Sequence, residues 1–88
     1  SSYNIATSDS GKVIYASGTV NVTQFMTAGM AVTIINNTSG DITIAKLNGY
    51  TYWTQDGSNT SRTLASRGMA TVWWYDWNTA YISGSGLS

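Results

Sequence analysis

The sequence predicts an all-β domain, a small antiparallel β-sandwich or partly closed barrel, and three observations predict it. Short runs of valine, isoleucine, threonine and aromatic residues recur between turn signals about every eight to twelve residues. No stretch of about ten residues carries the apolar spacing of a helix. Residues 67–84 then gather three of the four tryptophans between two glycines and read as a β-hairpin.

The hairpin sets the frame for the rest. Ala70 to Tyr75 are small, β-branched or aromatic, which suits a pleated half-buried surface, and Asp76-Trp77-Asn78 supplies two residues tolerant of turn geometry. A three-residue turn makes Tyr75 face Thr79, Trp74 face Ala80, Trp73 face Tyr81 and Val72 face Ile82. One side of the hairpin is then Ala70, Val72, Trp74, Ala80 and Ile82, a core face with its largest side chain set against a small one. The other side carries Trp73, Tyr75 and Tyr81, candidate subunit-interface residues, because so much aromatic surface on a small domain calls for a covering partner.

Before the hairpin, residues 1–10 are polar and mixed and read as an N-terminal arm or linker, leaving residues 11–88 as a single β-domain. Lys12 to Ala16 form a first β-rich run. After the turn at Ser17-Gly18, residues 19–23 alternate strictly and place Val20 and Val22 on one buried face. Phe25, Met26 and Met30 interrupt the alternation, so they belong to a loop, with a helical turn as an option, that drops apolar groups over one end of the core. Residues 31–36 and 41–45 flank Asn37-Thr38-Ser39-Gly40 and read as a second hairpin. Val32 and Ile34 point one way and Ile35 the other, which fits a central or interface strand. Tyr50 to Trp53 form a short strand, Gln55 to Ser61 a surface loop without an apolar residue, Thr63 to Ser66 a return to the sheet, and residues 84–88 a glycine-rich tail.

Composition narrows the function classes. Eighty-eight residues make one domain, and no run approaches the roughly 20 apolar residues of a membrane span. With no cysteine and no histidine, disulfides, thiolate sites and imidazole ligands are absent, so oligomerisation is the remaining reinforcement for a thin monomer margin. A formal net charge of +0 with 9% charged residues gives no electrostatic footprint for nucleic acid or an anionic membrane. Opening on Ser1 without a charged-then-apolar leader, the chain is expected to be a processed or recombinant piece of something longer.

Several segments resemble a known domain. Asp9-Ser10-Gly11-Lys12, Val32-Thr33-Ile34-Ile35-Asn36-Asn37 with Ile42-Thr43-Ile44, Arg62-Thr63-Leu64-Ala65-Ser66-Arg67-Gly68-Met69-Ala70-Thr71, and Ile82-Ser83-Gly84-Ser85-Gly86-Leu87 are similar to the small β-domain of tailed-bacteriophage virion fibres, tail spikes and capsid fibres. The resemblance spans most of the chain from Asp9 and rests on short, degenerate motifs. It implies a trimeric module on the virion surface, in contact with other virion proteins, and implies no catalysis. The resembling domains often have an aromatic where this chain has Ala80 and a small residue where it has Trp74, and the hairpin register sets those two opposite each other.

The chemistry agrees with a binding module. An enzyme needs a nucleophile with a base, a metal cluster or paired tuned carboxylates, and this chain has neither histidine, cysteine nor glutamate. Asp9, Asp41, Asp56 and Asp76 all fall at predicted turns, where Asp accepts backbone N–H bonds; an Asp56–Asp76 glycosidase pair is the remote alternative. No catalytic residue, metal site or cofactor is expected. Saccharide recognition needs flat aromatic faces beside planar polar groups, and Tyr52, Trp53, Gln55, Asp56, Asn59 and Trp77, with Tyr50 nearby, supply those types on or beside loops. The competing reading makes Tyr50 or Tyr52 and Trp53 core or interface residues and Trp77 the cap of its hairpin. Arg62 and Arg67 suit an acidic sugar, an aspartate partner or an aromatic face. The expectation is a non-enzymatic, homotrimeric virion surface module that attaches to bacterial saccharide. The rivals are a purely structural trimerisation or capping domain of a fibre and a carbohydrate-binding module of a secreted glycoside hydrolase.

Overall fold

The computed structural model describes every residue apart from 1, 23–25, 47–49, 54–56 and 58, together with the side chains of those residues other than Tyr50, Thr51 and Trp53. The chain is all-β, and among the described residues eight strands form a nearly closed, barrel-shaped sheet. They are β1 (Ser2–Asn4), β2 (Val13–Ala16), β3 (Thr19–Val22), β4 (Ala31–Asn36), β5 (Ile42–Lys46), β6 (Tyr50–Trp53), β7 (Arg62–Trp74) and β8 (Thr79–Leu87). A single 3-10 turn, Thr7–Asp9, lies between β1 and β2.

The sheet is mixed where the sequence suggests an antiparallel one. From β1 to β6 the chain pairs each strand with one two or more places on, giving parallel pairs β1 with β3, β2 with β4, β3 with β5 and β6 with β8. Among the described residues the antiparallel pairs all involve β7, with β4, β5 and β8. β5 and β7 are the exception, alternate strands that run antiparallel; where the chain passes to the other half of the barrel and comes back in its original direction, alternate strands pair in parallel. The two-residue link Ser17-Gly18 illustrates this: it joins β2 to β3 without pairing them.

The expected hairpin of residues 31–36 and 41–45 is corrected on the same ground. β4 and β5 do not pair with each other; β4 runs along Met69 to Trp73 of β7 and β5 along Arg62 to Leu64. Because β8 takes the other edge of β7 at both places, β4 and β5 lie end to end on one edge, split at residues 37–41. Opposite that split, β7 carries a register irregularity between Leu64 and Met69, with Arg67 at φ 61. Asn36, fully buried, bridges the break: its Nδ2 donates to the carbonyls of Gly40 (2.8 Å), Leu64 (3.0 Å) and Ala65 (3.0 Å), and its Oδ1 accepts from the Thr38 backbone N–H and hydroxyl. One side chain satisfies main-chain groups that a continuous ladder would otherwise have paired.

Both chain ends also enter the sheet. The segment read as an arm or linker pairs Ser2 to Asn4 with Thr19 to Asn21 and buries Ile5. The glycine-rich segment read as a tail continues β8 to Leu87, which is buried opposite Leu64. Gly84 is required there, since a Cβ at that position would stand 2.2 Å from the Met69 carbonyl oxygen of the neighbouring strand.

Inside the barrel, Val20, Val22, Ile42, Ile44 and Leu64 from one half meet Val32, Ile34, Val72, Trp74 and Ile82 from the other. Met26 is buried and Met30 packs against this core, as expected; Phe25 lies outside the described residues. Ile35 is half-buried on a central strand between β2 and β7.

Candidate functional site

The site is built on the β7–β8 hairpin, and its turn comes first. Asp76 Oδ1 accepts hydrogen bonds from the backbone N–H groups of Asn78 (2.9 Å) and Thr79 (2.8 Å), and the Tyr75 N–H donates to the Thr79 carbonyl at 2.8 Å. That fixes residues 76–78 as the reversal, and the register follows as Trp74 to Ala80, Trp73 to Tyr81 and Val72 to Ile82. Ala70, Val72, Trp74, Ala80 and Ile82 are all buried, as the alternation requires.

The opposite side of the same strands faces out. Trp73 is 45% exposed, Tyr81 40% and Tyr75 69%. Parallel pairing of β6 with β8 sets Tyr52 beside Tyr81, their ring centroids 5.8 Å apart and the planes inclined by 34°. On its other flank Tyr81 meets Tyr75 edge-on, at 6.5 Å and 81°. Three phenol rings therefore run in a row across the outside of the barrel, with Trp73 directly cross-strand from Tyr81.

This row unites residues that the sequence assigns to two different roles. Tyr52 belongs to the expected saccharide set and Tyr75, Tyr81 and Trp73 to the expected interface set, and the fold makes them one surface. Trp77 is exposed at the tip of the same hairpin. Trp53 lies in β6 with its backbone opposite Ile82, and Asn59 is half-buried in the link to β7. Gln55 and Asp56 lie outside the described residues, as does any Asp56–Asp76 pair.

The exposed face extends further than sequence reasoning placed it. Met69 on β7 and Val13 and Tyr15 on β2 are exposed on the same outer side, with Ile35 of β4 between them. The alternation of residues 13–16 was the available signal, but only the parallel β2–β4 ladder reveals that this strand continues the aromatic face.

A second feature is concave. A cleft of about 430 Å³ lies between the free edge of β2 and strands β1 and β3, lined among others by Tyr3, Asp9, Lys12, Tyr15, Ser17 and Thr19. Its carboxylate is already engaged: the Tyr3 hydroxyl donates to Asp9 (2.7 and 2.8 Å) and so does the Ala6 N–H (2.9 Å). The bond to Asp9 holds the exposed Tyr3 phenol above its ordinary pKa, with desolvation and the carboxylate's charge acting in the same direction. Asp9 and Asp76 thus serve local structure, as their turn positions suggest. Arg62 bonds to the Ser61 carbonyl and the Thr60 hydroxyl, and Arg67 to Asn37 Oδ1 at 3.3 Å. Among the described residues no group of three histidine, cysteine or acidic side chains is placed to hold a metal ion. The outer aromatic face is accordingly the candidate site, and what it offers is stacking area with hydroxyl groups beside it.

Compared with protein-family models, with curated proteins and with solved structures, the chain matches none.

Proposed function

We propose that this chain is a non-enzymatic surface module of a bacteriophage virion, a tail-fibre or capsid-fibre domain, that attaches to saccharide on the bacterial surface through the face of Tyr52, Tyr81, Tyr75 and Trp73. The observation that carries the binding part is the contiguous row of rings on the outside of the sheet, with Tyr52 half-buried and Tyr75, Tyr81 and Trp73 exposed. A monomeric domain gains nothing from holding such a row in water, whereas the C–H face of a pyranose stacks on it and the phenol and threonine hydroxyls meet the sugar's own. The virion assignment rests on the sequence resemblance to fibre domains.

A second reading has its own support. Exposed apolar groups continue beyond the rings to Met69, Val13 and Tyr15, which extends the face toward the area that packing between copies uses. On that reading the chain is a structural trimerisation domain and the rings are covered by a neighbour.

One pair of measurements separates them. Host envelope polysaccharide is titrated against the wild-type chain and Tyr81→Ala while light scattering follows the oligomeric state. Attachment predicts binding that weakens roughly five- to thirtyfold in Tyr81→Ala, the equivalent of about 1 to 2 kcal/mol, with the assembly unchanged. No binding by the wild type, together with dissociation of the oligomer in Tyr81→Ala, rejects attachment in favour of the structural role.

A further inference from the structure

Resting on the attachment reading, we infer that the saccharide this face takes is electrically neutral, and that its capture is insensitive to salt. The outward positions of β2, of β4, of β7 from Met69 and of β8, with Tyr52 of β6, carry only apolar, aromatic and hydroxyl side chains. No ammonium, guanidinium or carboxylate stands on that surface among the described residues.

The cations lie elsewhere for structural reasons. Arg67 is held at the β7 irregularity by Asn37, beyond Met69 and six residues along the chain from Trp73. Arg62 is farther still, where β7 pairs with β5. Lys12, just before Val13, lines the cleft with Tyr3, Asp9 and Tyr15 at the β2 edge, three ladders away from β8, and Lys46 ends β5 in the other half of the barrel. Among the described residues a carboxylate follows the rings directly in the chain: Asp76, in the turn after Tyr75.

A uronate or sialate laid on this face would give up hydration from its carboxylate without meeting a cation, and Asp76 would oppose it. A neutral hexose meets no such cost. Its apolar face covers the rings, and its hydroxyls exchange water for the hydroxyls of Thr71 and Ser83, paired across β7 and β8 beside Trp73 and Tyr81. Because no charge is matched across the contact, screening has nothing to weaken.

The test is affinity electrophoresis of the wild-type chain and Tyr81→Ala through gels containing neutral polysaccharide (dextran, mannan or galactan) or acidic polysaccharide (alginate or polysialic acid), each at low and high sodium chloride. The expected result is retardation by at least one neutral polymer, changed less than about twofold by salt, lost in Tyr81→Ala, and at least about tenfold weaker with the acidic polymers. Retardation by acidic polymers alone, abolished by salt and by Tyr81→Ala, overturns neutrality and leaves attachment through the face standing. Retardation by neither class, with Tyr81→Ala altering the oligomer, overturns the attachment reading and this inference with it.

Discussion

Trp73 and Trp74 are neighbours in sequence and opposites in environment. Trp74 is 2% exposed and lies across from Ala80 in the core, while Trp73 is 45% exposed and lies across from Tyr81 outside. Composition, strand and hairpin are the same for both, so only the parity of the register separates them. The inner side of the hairpin is therefore where stability resides, and the outer side is where a large apolar group can be kept for another molecule.

The sharpest way to break that contrast is at the inner pair. Trp74→Ala should cost on the order of 3 to 5 kcal/mol in urea denaturation, and Ala80→Trp should be severe through overpacking. Exchanging both restores the volume at one cross-strand pair, so the double variant should recover a substantial part of the summed loss, a coupling expected only of residues in contact. Strict additivity would contradict the contact between them.

A polar inner position sharpens the contrast further. Asn36→Ala removes the bonds to the Leu64 and Ala65 carbonyls where β4 and β5 are split, and should destabilise by about 1 to 3 kcal/mol because buried main-chain oxygens lose their donor. Asn36→Ala denaturing at the wild-type urea midpoint would remove the bridging role assigned to this side chain.

On the outer side the effects should be small. Tyr81→Ala loses ring contacts with Tyr52 and Tyr75 that are worth about 0.5 to 1.5 kcal/mol each at most, and its principal consequence should appear in binding. Smallest of all, Met69→Ser on the same face should shift stability by no more than about 0.5 kcal/mol, since half of the side chain is already in water. A loss at Met69 comparable to that at Trp74 would mean that this face is buried in the working assembly.

Local pattern was enough to read much of this molecule. Strict alternation in residues 19–23, and for residues 70–74 the register set by the turn at Asp76 to Asn78, indicated the buried sides, because side-chain direction in a strand and hydrogen bonding in a turn are decided within a few residues. The clustering of aromatic residues marked an exposed outer face for the same reason. Partnership was not legible. Asn37 to Gly40 looks like a hairpin turn from either side, and only the length of β7, its irregularity and the reach of the Asn36 amide decide that β4 and β5 lie end to end instead of side by side. Likewise Tyr52 and Tyr81, 29 positions apart, are brought onto one surface by a parallel ladder between β6 and β8. Main-chain hydrogen-bonding groups are alike in every strand, so local sequence settles which residues face the core, and the competition to fill one shared core settles which strands meet.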